Sequence, residues 1–212
     1  FRNTADTATF GASAVTLDLQ EGGTYTFDVS DSTLNSHPFV IGTAANGTEY
    51  STGVTYKLDG VTKTYSQYTS GFSAATSRQL IITLAASAPA LYYWCSAHSG
   101  MGGAINTNAT FGSSNFDGSK QSLVTANPTA GFSIIQYSGS GSSSTIGHGL
   151  SSAPAMIIVK RISGSDSWTV YHKATGAGHF LRLDTTGAES SNTNTWANTA
   201  PTSTVFSVNH DD

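Results

Sequence analysis

The fold of this chain is indicated most clearly by one stretch, Leu91-Tyr-Tyr-Trp-Cys-Ser-Ala-His-Ser-Gly-Met-Gly-Gly103. It starts with an aromatic run that predicts a strand, and this run ends at Cys95, the only cysteine of the chain. A glycine-rich turn follows and carries His98 and Met101. A thiolate, an imidazole and a thioether on one short loop form a ligand set that suits copper. The stretch therefore predicts a strand that ends in a metal-binding loop.

A copper site of this kind needs a second imidazole, and the best candidate is His37. It begins the run His37-Pro-Phe-Val-Ile41, which predicts a strand because proline is tolerated at a strand's first residues. In a β-sandwich, the start of this strand and the Cys95 loop can lie at the same end. A trigonal His–Cys–His set with a weak axial methionine is typical of electron-transfer copper sites. We therefore predict the ligands His37, Cys95, His98 and Met101.

The same residues also allow a simpler interpretation. A single cysteine in a β protein is usually a small buried hydrophobic side chain. His98 and Met101 would then serve the shape and packing of a turn, and His37 would hydrogen-bond a neighbouring carbonyl. The pattern of residue types and the position of Cys95 at the end of an aromatic strand favour the metal hypothesis.

Alternation of apolar and polar residues predicts further strands on both sides of this stretch. In the first half they cover residues 14–19, 24–29, 37–41, 54–58 and 78–84. In the second half they cover residues 131–137, 155–160, 167–172, 179–183 and 204–208. No segment has an apolar stripe at helical spacing over three turns, which favours sheet packed on sheet. We predict an all-β chain with two β-sandwich modules, residues 1–106 and 107–212.

Composition excludes several classes of function. The net charge is −4 and only 10% of the residues are charged, so there is no clustered basic face for nucleic acid. No apolar run reaches the length of a membrane span, and the N-terminus lacks the features of a signal peptide. Because Phe1 is not a natural start, we expect a processed product or a fragment.

The chain carries no recognisable catalytic pattern. It has no Gly-x-Ser-x-Gly elbow and no paired carboxylates suited to acid–base work. His148, His172, His179 and His210 are spread over the second half without metal spacing, and we interpret them as surface or hydrogen-bonded histidines. We therefore expect a protein that is not an enzyme.

Four tyrosines in the polar region between residues 42 and 77 are candidates for a contact surface: Tyr50, Tyr56, Tyr65 and Tyr68. Tyrosine gives a large contact area with few rotatable bonds. The alternative is that these rings only cover the sandwich.

The first half resembles the cupredoxins over roughly residues 14–106. The matching segments are Leu17-Asp-Leu-Gln-Glu-Gly22, Tyr25-Thr-Phe27, His37-Pro-Phe39 and Tyr93-Trp-Cys-Ser-Ala-His98, with Met101. The resemblance implies a Greek-key sandwich and copper bound by His37, Cys95, His98 and Met101. Redox cupredoxins commonly have asparagine after the first histidine, where this chain has Pro38. This difference favours a role other than electron transfer.

The whole chain also resembles structural proteins of marine bacteriophages, in which such a module ends like Tyr92 to Gly102. The second half is similar to a β-sandwich of phage tail and fibre proteins, in the segments 154–160, 168–172 and 196–206 among others. The resemblance implies a virion structural protein, such as a tail fibre, appendage or capsid-surface component. Its partners would be other virion proteins, further copies of itself and a host-surface glycan or receptor. In that family the second module continues past the equivalent of Asp212.

Three other functions compete with this hypothesis. The chain would be a blue-copper electron carrier, a secreted carbohydrate-binding β-sandwich protein, or the subunit of a filament. Copper-dependent colour with a reversible potential would favour the first, and glycan binding through exposed aromatic residues the second. Only imaging separates the third from a virion protein.

Overall fold

The computed structural model describes residues 14–107 and 112–209. The described residues divide into two compact units, one up to Ser113 and one from Ser114 onward. The boundary that we predicted from the sequence, at 106/107, lies a few residues before this division. Strands dominate the regular structure of both units, so the predicted all-β fold class is confirmed. None of the helices in the described residues has the length and apolar character needed to cross a membrane.

The first unit contains two four-stranded sheets. Its strands are β1 (Leu17–Asp18), β2 (Thr24–Asp28), β3 (Phe39–Gly42), β4 (Val54–Leu58), β5 (Val61–Lys63), β6 (Arg78–Thr83), β7 (Leu91–Cys95) and β8 (Gly102–Asn106). One sheet has the order β1-β8-β7-β3 and the other β2-β6-β4-β5. Only β1 and β8 pair in parallel in these two sheets, as far as the described residues show.

The core of the first unit contains aliphatic and aromatic side chains and comes from both sheets. The side chains that are at most 1% exposed include Leu17, Val40, Ile41, Leu80, Ile82, Leu84, Leu91 and Ile105. Each such burial contributes about 1.5–3 kcal/mol relative to an exposed side chain. Phe27 of β2 lies 4.9 Å from Phe39 of β3, measured between ring centroids, so side chains of the two sheets touch. The sandwich arrangement and its Greek-key connections stay predictions.

A short helix, α1 (Tyr65–Gly71), lies in the polar region between residues 42 and 77, where the sequence predicted only the strand at 54–58. That strand is confirmed as β4, whereas the helix was not predicted. Thr64 and Gln67 form a capping box: the Thr64 hydroxyl accepts from the Gln67 N–H, and the Gln67 side chain accepts from the Thr64 N–H. This motif satisfies two amides that the first turn would leave unpaired.

Two of the four tyrosines expected on a contact surface are core residues. Tyr56 is 4% exposed and Tyr68 is fully buried, so the predicted contact surface was wrong for both. Their ring centroids are 4.7 Å apart, and Tyr68 packs edge-on against Phe72 at 5.2 Å. Burial raises the pKa of both phenols well above its ordinary value. Tyr50 and Tyr65 are half-buried.

The second unit contains three sheets, of three, two and four strands, and β9 begins at its boundary. The strands are β9 (Ser113–Asn115), β10 (Ser122–Asn127), β11 (Phe132–Tyr137), β12 (Ser144–Gly147), β13 (Met156–Val159), β14 (Thr169–His172), β15 (His179–Arg182), β16 (Ser190–Ser191) and β17 (Val205–Val208). Their sheet orders are β11-β10-β9, β12-β17 and β13-β14-β15-β16. The strands that the sequence predicted in this half correspond to β11, β13, β14, β15 and β17.

A cluster of buried side chains lies in the core of the second unit. Its members are Ile146, Tyr171, Ala177, Trp196, Phe206 and Val208. Trp196 is 1% exposed and packs edge-on against Tyr171, with 5.9 Å between ring centroids. Aromatic pairs in this arrangement contribute about 0.5–1.5 kcal/mol beyond their buried area. The core thus depends on side chains that lie far apart in the sequence.

Candidate metal centre

Strand pairing brings the first two predicted ligands together. β3 and β7 are antiparallel, and Phe39 at the start of β3 lies opposite Cys95 at the end of β7. The ladder continues beyond the strands, because the Ser96 N–H donates to the Pro38 carbonyl at 2.9 Å. His37 is therefore held beside Cys95 although 58 positions separate them.

A tight loop between β7 and β8 places the third ligand. The Cys95 N–H donates to the Met101 carbonyl at 2.8 Å, and the His98 N–H donates to the Cys95 carbonyl at 3.3 Å. β8 then returns along β7, with Gly102 opposite Trp94. A side chain at Gly102 would collide with the Tyr93 carbonyl oxygen, so the close return of the chain requires glycine there.

The donor atoms of His37, Cys95 and His98 converge. The Cys95 Sγ lies 3.4 Å from the His98 Nδ1 and 3.7 Å from the His37 Nδ1. All three donor atoms lie within 4.8 Å of one another, and the imidazole centroids are 4.6 Å apart. Among the described residues, these three form the only group of His, Cys or acidic side chains close enough to share one ion.

These distances agree with those between ligands of one metal ion. Bonds of about 2.3 Å to sulfur and about 2.0 Å to nitrogen, at angles of roughly 109–120°, separate the two ligand atoms by about 3.5–3.7 Å. Both imidazoles present Nδ1 to the sulfur, so a neutral ring that binds metal there carries its proton on Nε2. The two sulfur–nitrogen distances thus agree with a shared ion, and the cluster could hold one.

The three side chains differ in their access to solvent. Cys95 is 5% exposed, His37 is half-buried and His98 is exposed. Phe39 lies beside this end of the sheet and stacks on Tyr93, with 5.5 Å between ring centroids. The thiol is therefore shielded by the strands, whereas the His98 imidazole faces outward.

Met101 is tied to the site through its backbone. Its carbonyl accepts the Cys95 N–H, while its side chain is 42% exposed. The thioether as a fourth ligand stays a prediction.

The other histidines lie outside this cluster. His148 is 1% exposed, and its two ring nitrogens contact the Thr202 carbonyl and the Leu150 N–H. His172 is half-buried and its Nδ1 accepts the Ala174 N–H. Both are hydrogen-bonded histidines, as we predicted. His179 is half-buried, and His210 lies outside the described residues.

One further residue bears on the site, Arg78, which the sequence pattern identifies only as the first residue of a strand. Its side chain is 1% exposed and contacts the segment that leads to His37. No local pattern could have indicated this contact, because it joins positions 43 to 48 residues apart.

Comparison with known proteins gives one family. No curated protein and no solved structure matches the chain. Residues 94–212 match the model of a family described as a domain of unknown function. The matched region takes in Cys95, His98 and Met101, whereas His37 precedes it. Since the match covers more than half of the chain, the protein belongs to the DUF7483 family of domains of unknown function.

Proposed function

We propose that this chain is a non-enzymatic structural protein of a virion whose first unit binds one copper ion through His37, Cys95 and His98. The observation that carries the metal part is the pair of sulfur–nitrogen distances, 3.4 Å from Cys95 to His98 and 3.7 Å from Cys95 to His37. A thiolate with two imidazoles is a soft donor set, which favours copper or zinc over magnesium or calcium. Copper is preferred because structural zinc sites usually have four protein ligands.

The ion would cross-link three segments of the chain at the end of the sheet. His37 precedes β3, Cys95 ends β7 and His98 lies in the loop to β8, so one ion would join three segments. The unfolded chain does not hold these groups together, so metal binding contributes directly to folding stability. At a free copper concentration 100 times Kd this contribution is about 2.7 kcal/mol.

Exposed apolar side chains support the assembly part of the proposal. In the second unit the large ones are Phe132, Ile134, Met156, Ile158, Ile162, Trp168 and Leu183. Groups of such residues are typical of surfaces that contact other proteins. Neighbouring virion proteins and further copies of this chain would cover them. A host-surface glycan or receptor would be contacted through loops and through aromatic residues such as Trp168, which is 44% exposed.

One observation favours electron transfer as a second candidate function. The His98 imidazole is exposed while the sulfur is shielded, so an electron could enter or leave through this ring. Reversible one-electron voltammetry of the copper-loaded protein would support an electron carrier. A copper form that is reduced irreversibly, or not at all, would favour the structural role.

Metal analysis of the wild type and of Cys95→Ser tests the metal part. After incubation with Cu(II) and removal of free metal, the wild type should retain one copper per chain and absorb strongly in the visible range. Cys95→Ser should lose both properties, because serine has a hydroxyl in place of the thiol and this hydroxyl stays protonated at neutral pH. Equal copper content in the two proteins would contradict the proposed site. Immunolabelling of purified virus particles tests the virion part, and particles without label would contradict it.

A further inference from the structure

The buried guanidinium of Arg78 lies at the start of β6, in the sheet that does not carry the site. Arg78 is 1% exposed, and its Cζ lies 5.0 Å from the centroid of the Phe72 ring. A buried charge is costly unless hydrogen bonds compensate for the lost hydration. The hydrogen bonds of the buried guanidinium therefore show which segment of the chain the Arg78 side chain holds in place.

These bonds go to one segment, residues 30–35. Arg78 Nη1 donates to the Asn35 Oδ1 at 2.6 Å. Nη2 donates to the Ser30 carbonyl at 2.6 Å and to the Asp31 carbonyl at 3.1 Å. The Arg78 backbone N–H also donates to the Ser30 hydroxyl at 2.9 Å. One residue thus fixes both ends of the segment.

The segment in turn leads to His37. Its middle is a short 3₁₀ turn, Ser32–Leu34, and the His37 N–H donates to the Leu34 carbonyl at 2.8 Å. Pro38 follows with a fixed φ, and its carbonyl accepts from Ser96 beside the thiol. A displacement of residues 30–35 would therefore move the His37 imidazole relative to the Cys95 Sγ.

We propose that Arg78, through Asn35 and the Ser30 and Asp31 carbonyls, is the positioning residue that holds the His37 Nδ1 at ligand distance from Cys95. The inference deepens the proposed copper site and rests on it for the metal-affinity measurement. The positioning itself exists in the metal-free protein, where it keeps the His37 imidazole over the thiol. Arg78 does not contact the ion.

The decisive variant is Asn35→Ala, which removes one hydrogen bond and leaves the buried arginine in place. Copper affinity, measured by competition with a chelator, should fall by up to about 10–100-fold, the loss that is typical when a residue bonded directly to a metal ligand is removed. In the metal-free protein, the rate at which Cys95 reacts with a soluble aromatic disulfide should rise at least severalfold. Asn35→Asp should retain wild-type values, because its carboxylate still accepts from Arg78.

Two further variants complete the test. Arg78→Lys should show the same two changes more strongly, because the single ammonium nitrogen of lysine cannot donate to all three acceptors that the two guanidinium nitrogens reach. If this variant does not fold, Asn35→Ala alone decides. Thr64→Ala removes the cap of α1, far from residues 30–35 in sequence, and controls for a general loss of stability. It should leave the thiol rate and the copper affinity unchanged.

The outcomes separate this inference from the proposed function. If the wild type binds no copper but Asn35→Ala exposes the thiol, the copper proposal fails and the positioning role stands. If Asn35→Ala folds and keeps both the thiol rate and the copper affinity within twofold of the wild type, the positioning role is overturned. An equal change in Thr64→Ala would overturn it as well.

Discussion

The two units use histidine in opposite ways. In the first unit, the Nδ1 atoms of His37 and His98 point at a thiol, 3.7 and 3.4 Å away. In the second unit, His148 is 1% exposed, and both of its ring nitrogens contact the backbone, Nε2 at Thr202 and Nδ1 at Leu150. A histidine can serve as a metal ligand only when one nitrogen is not already used by the backbone. Local hydrogen bonding therefore distinguishes the two kinds more clearly than sequence spacing does.

Among the predicted substitutions, His37→Ala should have the largest effect. It tests the contrast between the two kinds of histidine through copper affinity. It removes one of three ligands, so copper affinity should fall at least about 10³-fold, or about 4 kcal/mol, which exceeds the loss expected for an outer partner. Isothermal titration of the metal-free protein with copper would measure it. His179→Ala, in the second unit, is the matched control and should bind like the wild type. Unchanged binding in His37→Ala would remove this residue from the site and break the comparison.

The pH dependence of the second unit should come from His148. Burial lowers its pKa below the ordinary value of 6.5, while the Thr202 carbonyl and the Asp117 carboxylate act in the opposite direction. The unfolded chain then binds a proton at higher pH than the folded one. The stability contribution is complete above pH 6.5 and falls as the pH drops through the range between the two pKa values.

The slope of this loss is at most about 1.4 kcal/mol per pH unit. Amide exchange at Leu150, whose N–H donates to the His148 Nδ1, would measure it for the second unit. His148→Asn keeps a donor and an acceptor but does not titrate, so its exchange should lose this part of the pH dependence. A wild-type profile equal to that of His148→Asn would show that His148 does not titrate differently on folding.

The sequence predicted strand β7 and the three side chains of the candidate site, but not the contacts that hold them in place. The aromatic run before Cys95 is confirmed as β7, and residue order was enough to select His37, Cys95 and His98, which the structure brings together. Such patterns are local: alternation identifies a strand, and chemistry identifies a possible ligand. Local patterns do not specify which strands pair, so the pairing of β3 with β7 is known only from the structure.

Helix α1 and the contacts of Arg78 were not predicted from the sequence, for two different physical reasons. Helix α1 is too short for a hydrophobic period, although Thr64 and Gln67 at capping-box spacing could have indicated its start. The contact of Arg78 with Asn35 has no local signal, because it depends on how the chain returns 43 positions later. The contact of Tyr68 with Tyr56, 12 positions earlier in the sequence, likewise depends on how the chain folds back.

Tyr68→Phe should have the smallest effect of the predicted substitutions. It tests the same rule on a buried polar group that, unlike His148, has no hydrogen-bond partner among the described residues. Tyr68 is fully buried, and its hydroxyl has no hydrogen-bond partner among the described residues. Phenylalanine keeps the ring contacts with Tyr56 and Phe72 and removes the cost of burying an unpaired hydroxyl. The free energy of unfolding should stay unchanged or rise by up to about 1 kcal/mol, measured by denaturant titration.

Tyr68→Ala is the control, because it removes the ring as well and should cost about 3–5 kcal/mol, as for other large aromatic side chains. If Tyr68→Phe instead lost more than about 1 kcal/mol, the hydroxyl would have to make a stabilising bond in the folded protein. The buried hydroxyl of Tyr68 would then be hydrogen-bonded, as the ring nitrogens of His148 are.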